Sequence, residues 1–344
     1  MRKIDRRIFL GGLLAAAGAG TVAGSNVVLA QPAPGAGSID VHHHFASPYW
    51  MRTADGISPS TMGIWHPWTP QKSIAVMDEG GCQKAIVSVT TPGISFGDNA
   101  QTTRLARDSN DYAAKMRSDY PGRFGFFTAL PLPDIDASLK EIAYGLDTLK
   151  ADGVGMFTSY GKYYLGDPYF DPIFDELNRR KAILFVHPTS AQCCAGLLQP
   201  QITDADIEYG TDTTRAIAHL IMSGKTIAYP DVRIIWSHAG GTMPYLQWRF
   251  MRETRNMPKY PDGRQPTFQD LASKMWYDTA QAAVAAPMSA ITKMIPMSNL
   301  LFGTDYPYNT TKDIRDGLAN CGVFNADQLA QVGRGNAVAL FGHG

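Results

Sequence analysis

The run Asp40-Val41-His42-His43-His44 closes a short apolar segment that reads as a β-strand. Side chains alternate faces along a strand, so His42 and His44 project to one side and His43 to the other. Two imidazoles on one face can share a metal ion. Three further residues stand at the same kind of position. His187 follows Ile183-Leu184-Phe185-Val186, His238 follows Ile234-Ile235-Trp236-Ser237, and Asp305 ends Leu301-Phe302-Gly303-Thr304. Three His nitrogens with one carboxylate oxygen suit Zn²⁺ or a similar borderline ion and leave room for water or substrate. Of the other histidines, His43 is expected against the outer wall of the strand. His66 sits in a loop, at the mouth of a pocket or simply packed, while His219, inside a helical segment, and His343, at the tail, are expected to be surface or packing residues.

The elements that must bring these residues together alternate along the chain. Strand candidates at 38–41, 84–89, 124–129, 153–157, 182–186, 233–236, 275–278 and 300–302 are separated by stretches with helical periodicity at 69–79, 100–119, 135–149, 170–180, 213–223, 244–255 and 285–294. Strands alternating with helices give a parallel sheet with crossover connections. Such a count predicts a (β/α)8 TIM barrel, whose functional groups gather at the C-terminal ends of the strands. His42, His44, His187, His238 and Asp305 all fall at those ends. The segments 163–169 and 199–210 read as long loops on the same rim, where substrate-shaping residues belong.

The barrel is expected to occupy residues 38–344 as a single domain. Before it, Arg2, Lys3, Arg6 and Arg7 precede an apolar Gly/Ala-rich stretch that ends in Val28-Leu29-Ala30, which reads as a cleavable leader over residues 1–30. Arg6-Arg7 before Ile8-Phe9-Leu10 resembles a twin-arginine export signal, which implies the twin-arginine machinery as a partner and a periplasmic or secreted protein, cytoplasmic if the leader is not used. Its length approaches that of a membrane span, but its Gly and Ala content makes it weakly hydrophobic. Residues 31–37, with two Pro and two Gly, are a linker. Lys plus Arg equals Asp plus Glu at 31 each, so no net field recruits nucleic acid or an anionic membrane. The four cysteines lack zinc-type spacing, and the adjacent Cys193 and Cys194 are expected in a packed loop.

His42-x-His44, His187, Ser237-His238-Ala239-Gly240-Gly241 and Phe302-Gly303-Thr304-Asp305-Tyr306-Pro307 resemble the amidohydrolase superfamily, in the branch of aminocarboxymuconate-semialdehyde decarboxylase and its aromatic-acid relatives. Arg123-Phe124-Gly125-Phe126-Phe127, Leu130-Pro131-Leu132-Pro133, Leu165-Gly166-Asp167-Pro168 and Leu177-Asn178-Arg179-Arg180 resemble the 6-methylsalicylate-decarboxylase-like subgroup. The resemblance implies that His42, His44, His187 and Asp305 hold one divalent ion, Zn²⁺ or Mn²⁺, with zinc the first expectation. It makes His238 the catalytic histidine that does not ligate, and Asp305 the proton donor as well as a ligand. Arg249 matches the position from which such decarboxylases contribute an arginine across a dimer interface, so a homo-oligomer, dimer or tetramer, is implied. A helix-solvating Arg249 is the plainer alternative. Superfamily hydrolases with two metals carry a carboxylated lysine at strand four; here that strand ends Gly155-Met156-Phe157-Thr158-Ser159, and a mononuclear site is expected.

Loss of CO₂ from an aromatic or enoic acid leaves electrons on carbon, so a Lewis acid at the carboxylate and a proton donor at the carbon are the two needs. The residues supply both. A nonoxidative decarboxylase of a small aromatic or unsaturated carboxylate, such as a salicylate-type acid, is the leading expectation. The same ligands would serve a hydrolase of a lactone or ring-cleavage product. A noncatalytic exported metal-binding protein is the third reading, against which the intact His238 and Asp305 speak. Trp65, Trp68, Phe96 and Tyr160 could stack on a ring, and Gly240-Gly241 is expected to allow close backbone approach near the metal.

Overall fold

All eight anticipated strands form, and they pair in chain order. The computed structural model describes residues 37–56 and 62–343; the expected leader and nearly all of the linker lie outside the described residues. The strands are β1 (Ser38–His44), β2 (Cys82–Ser88), β3 (Phe124–Ala129), β4 (Gly153–Phe157), β5 (Ile183–His187), β6 (Arg233–Trp236), β7 (Trp276–Asp278) and β8 (Leu300–Leu301). Each is hydrogen-bonded in parallel to the next. The residues just beyond β8 bring the ends of this sheet together. Val41 N–H donates to Phe302 O at 2.9 Å, Asp305 N–H to His42 O at 2.7 Å and His44 N–H to Tyr306 O at 2.9 Å. The result is a nearly closed (β/α)8 barrel. Its closing seam carries three of the residues that matter most.

Inward-facing apolar side chains fill the barrel as they must in a fold with no central pore. Ile39, Val41, Ile86, Phe127, Ile183, Phe185, Ile235 and Leu301 form that cluster, with Ala337 and Leu340 of the last helix (Asn336–Phe341) packed against it. A larger apolar shell joins strands to helices, and there the alternation of buried and exposed residues follows the 3.6 period; helix Asp171–Arg179 buries Ile173, Phe174 and Leu177.

Two element boundaries differ from expectation for identifiable reasons. The helix anticipated at 213–223 is Asp204–Met222, because Thr203 and Asp206 form a capping box and start it about two and a half turns early. Its acidic first turn hid the period, so only the beginning of the 199–210 segment is loop. The stretch anticipated as one helix at 135–149 is an α-helix, Ile135–Ala143, followed by a single π turn, Tyr144–Thr148. Cys193 and Cys194 are joined as a vicinal disulfide in the exposed loop after β5, where a packed loop was expected, and Cys82 and Cys321 are free. No helix among the described residues is long and apolar enough to cross a membrane.

Candidate active site

The first strand aims its histidines with a local irregularity. Ile39 and Val41 both face the barrel interior, and strict alternation would turn His43 inward next. A register shift between Asp40 and His43 resets the pattern. His42 then lies with its ring 5.0 Å from Phe185, His44 follows on the same face, and His43 turns out to bond Asp40 at 3.0 Å and Ser73 at 3.1 Å and to stack on Tyr306. Bulges of this kind commonly re-aim side chains beside active sites. Asp40 is the anchor. Its carboxylate accepts from Thr304 N–H at 3.0 Å and Thr304 Oγ1–H at 2.6 Å, which fixes the approach of Asp305 to β1.

Ligand-type atoms of His42, His44, His187 and Asp305 lie within 4.8 Å of one another, all four residues buried. His42 Nε2 is 3.1 Å from His44 Nε2, and Asp305 Oδ1 lies 2.9 Å from His44 Nε2, 3.2 Å from His42 Nε2 and 3.9 Å from His187 Nε2. The other ring nitrogens are committed elsewhere. His42 Nδ1–H donates to Asp278 Oδ2 at 2.8 Å, His44 Nδ1–H to Ser88 Oγ at 3.1 Å, and His187 Nδ1–H to Pro188 O at 2.8 Å. Those bonds place the lone pair of each neutral ring on Nε2. Three nitrogen lone pairs and a carboxylate oxygen therefore converge, and His187 Nε2 is buried with no hydrogen-bond partner among the described residues. Acceptors without a donor need a cation. The site fits a divalent metal ion.

The electrostatics agree. Burial pushes all three rings down, His44 to about 3 and His187 to about 4. At His42 the same burial is outweighed by Asp278 and Asp305, one on each side, and the pKa rises to about 10. Burial also works to raise Asp305, yet the charge of His42, with His187 and His238 close by, holds its carboxyl well below the usual range. Two buried carboxylates thus demand a positive charge between them, which a proton on His42 supplies when no cation does.

Asp305 divides its two oxygens. Oδ1 faces the three Nε2 atoms; Oδ2 lies 3.3 Å from His238 Nε2 and accepts from Gln281 Nε2–H at 2.8 Å. His238 is tied down by its backbone N–H, which donates to Asp278 Oδ1 at 2.9 Å. Positive φ angles at His238 (55°), Gln281 (55°) and Asp305 (63°) put three non-glycine residues of one site in the left-handed region. Such conformations cost about 1–3 kcal/mol each and persist where surrounding bonds over-determine them. A cavity of about 830 Å³ opens over this group, with His187, His238, Gln281, Asp305, Tyr209 and Tyr308 on its walls.

The sequence reading missed Asp278 and Gln281. Asp278 was findable, since it ends β7 as the histidines end β1 and β5; Gln281 carried no signal, because its position depends on the turn after that strand. Other expectations are corrected. Trp65 and Trp68 are buried in the shell, with Trp65 packed on Trp50 at 5.7 Å, and Phe96 is buried there too, so none of the three offers a free stacking face. His66 is exposed and pairs with Asp55. Gly241 does permit a close approach, but of helix Asp204–Met222: a Cβ there would lie 2.0 Å from Gly210 O. Arg249 is exposed on helix Met243–Arg252, beside Tyr245 and Trp248, and makes no hydrogen bond to the site residues of its own chain among the described residues.

Residues 39–343 match the family model described as Amidohydrolase. The chain belongs to the amidohydrolase family. This amidohydrolase is 34% identical over 323 residues to decarboxylase macB of Penicillium terrestre, covering 88% of this chain and 94% of that one. It is 36% identical over 275 residues to the 6-methylsalicylic acid decarboxylase of Penicillium expansum, covering 78% and 84%. Among solved structures it resembles the dihydroxybenzoic acid decarboxylase of Polaromonas sp. JS666 with bound manganese and 2-nitroresorcinol, at a TM-score of 0.78 and 22% identity over 89% of this chain and 97% of that one. The resemblance drawn from the motifs, down to the 6-methylsalicylate branch, is borne out.

Proposed function

We propose that this amidohydrolase is a metal-dependent, nonoxidative decarboxylase of a small aromatic acid that bears a hydroxyl beside its carboxylate. The observation that carries the proposal is the divided Asp305: one oxygen among three lone-pair-bearing histidines, the other turned to His238 at the edge of the cavity. His42, His44, His187 and Asp305 Oδ1 would hold the ion, for which the manganese of the Polaromonas enzyme is a precedent and zinc the alternative. When bound, a divalent ion supplies Lewis acidity toward the substrate's carboxylate and adjacent oxygen.

Asp305 Oδ2 delivers a proton to the ring carbon that carries the carboxylate. The ring then loses the C–C bond to CO₂, the bonding pair returns to the ring, and the product carries hydrogen where the carboxylate was. Because its neighbours hold Asp305 ionised, the proton it delivers crosses the 3.3 Å contact from His238 Nε2, which recovers one from solvent. The net reaction consumes one proton and releases CO₂. Gln281, bonded to the same oxygen, keeps Oδ2 aimed at the cavity. Arg249 acts from a second copy of the chain, its guanidinium suited to a carboxylate through a bidentate fork; its exposure beside Tyr245 and Trp248 on one helix supports an interface there. The twin-arginine-like leader directs the folded enzyme out of the cytoplasm.

The test is incubation of metal-loaded protein with hydroxybenzoates and, in parallel, with lactones. CO₂ and a phenol in equal amounts are the expected products. Lactone opening with no CO₂ from any acid would replace this reading with a hydrolase.

A further inference from the structure

A second cavity, about 490 Å³, adjoins the first on the side of β2, β3 and β4. His187, Thr189 and Pro92 line both. Its origin is visible in the strands. The inward positions of β2, β3 and β4 that line it include Ser88, Ala129 and Gly155, small residues on three adjacent strands, where a filled barrel would place branched side chains. Gly155 has room to spare, since a Cβ there would meet nothing closer than Phe127 Cβ at 3.5 Å. Phe127 and Phe185, from the barrel's interior cluster, line it together with Phe157, Leu130 and Tyr160. Among the described residues, Lys162 is the one charged side chain on its wall. Ser88, which holds His44, and His187 make the boundary with the metal centre.

We infer that this chamber receives an apolar substituent on the substrate's ring, larger than methyl, so that the enzyme selects alkyl-bearing aromatic acids. The inference rests on the decarboxylase reading for the reaction but not for the binding. The chamber's volume lies in the range of whole ligand pockets, roughly 300–1,000 Å³, and so exceeds what a methyl group requires. Its aromatic lining, Phe127, Phe157 and Phe185, gives an alkyl chain contact without hydrogen-bond demand. Because the chamber begins at Ser88 and His187, beside the proposed metal, the substituent that enters it is one next to the carboxylate.

Salicylic acids with methyl, propyl or pentyl at that ring position, assayed on metal-loaded protein, should show kcat/KM rising roughly three- to fourfold per buried methylene, about tenfold from methyl to propyl. In Gly155→Leu, whose side chain would occupy the chamber, the pentyl-to-methyl ratio should fall at least tenfold; should that variant fail to fold, Gly155→Ala, whose added Cβ makes only ordinary contacts, should lower the ratio by a smaller factor. Calorimetric binding of 3-pentylphenol against 3-methylphenol gives the same ratio without turnover. Turnover with no gain from methyl to pentyl, or an unchanged ratio in the Gly155 variants, would overturn the chamber and leave the decarboxylase standing. Preferential binding of 3-pentylphenol that is lost in Gly155→Leu, with no acid decarboxylated, would uphold the chamber and overturn the reaction.

Discussion

The two halves of the barrel rim are built on opposite plans. From β5 through β8 and back to β1, every strand end supplies a polar side chain: His187, His238, Asp278, Asp305, His42 and His44. From β2 through β4 the inward positions that line the second cavity include Ser88, Ala129 and Gly155. On the first half each functional group is held at a second point, the rings by Asp278, Ser88 and Pro188 and Asp305 by Gln281. On the second half the useful property is space. The contrast separates what performs chemistry, which needs over-determined geometry, from what chooses the molecule on which chemistry is performed, which needs a shape.

Substitutions on the polar half should therefore cost far more than those at its border with the apolar half. The largest effect is expected for Asp305→Ala, which removes the proposed ligand oxygen and the proposed proton-delivering oxygen together: metal content measured by elemental analysis should fall well below one ion per chain, and turnover by at least about 10³-fold. His238→Asn should lower kcat by about 10²–10⁴-fold while metal content stays at the wild-type value, because its ring nitrogen meets Asp305 at Oδ2 and not at the Oδ1 that faces the three Nε2 atoms. Retention of turnover in that variant would remove His238 from the chemistry. Asp278→Asn weakens the counter-charge beside His42 and should reduce metal affinity about 10–100-fold in a chelator competition. The smallest effect belongs to Ser88→Ala on the border, since His44 Nδ1 still has Ser88 O at 3.3 Å; affinity should change by less than about threefold. An effect as large as that of Asp278→Asn would mean that the two halves are not separate.

Much of the polar half was legible in the sequence, because His and Asp at strand ends stand out against apolar runs. His42, His44, His187, His238 and Asp305 were each found that way, and the same filter applied to β7 would have added Asp278. Gln281 was hidden, since its reach to Asp305 depends on a left-handed backbone turn that no residue type announces. The register shift in β1 was hidden as well; simple alternation gave the right pair of histidines, although the strand reaches that arrangement only by breaking alternation after Asp40. On the apolar half little could be read. Trp65, Trp68 and Phe96 drew attention as aromatic residues and proved to be core, whereas Ala129 and Gly155 shape a cavity by what they lack. Arg249 was legible only by resemblance, and one chain leaves it on the outer surface.

The most direct measurement is decarboxylation of a salicylate-type acid in D₂O by metal-loaded protein, with the product examined by NMR. One deuterium at the carbon that lost the carboxylate, with one CO₂ per phenol, is the expected result. Recovery of the intact acid beside rapid opening of a lactone would contradict proton delivery from Asp305 and assign the same residues to hydrolysis.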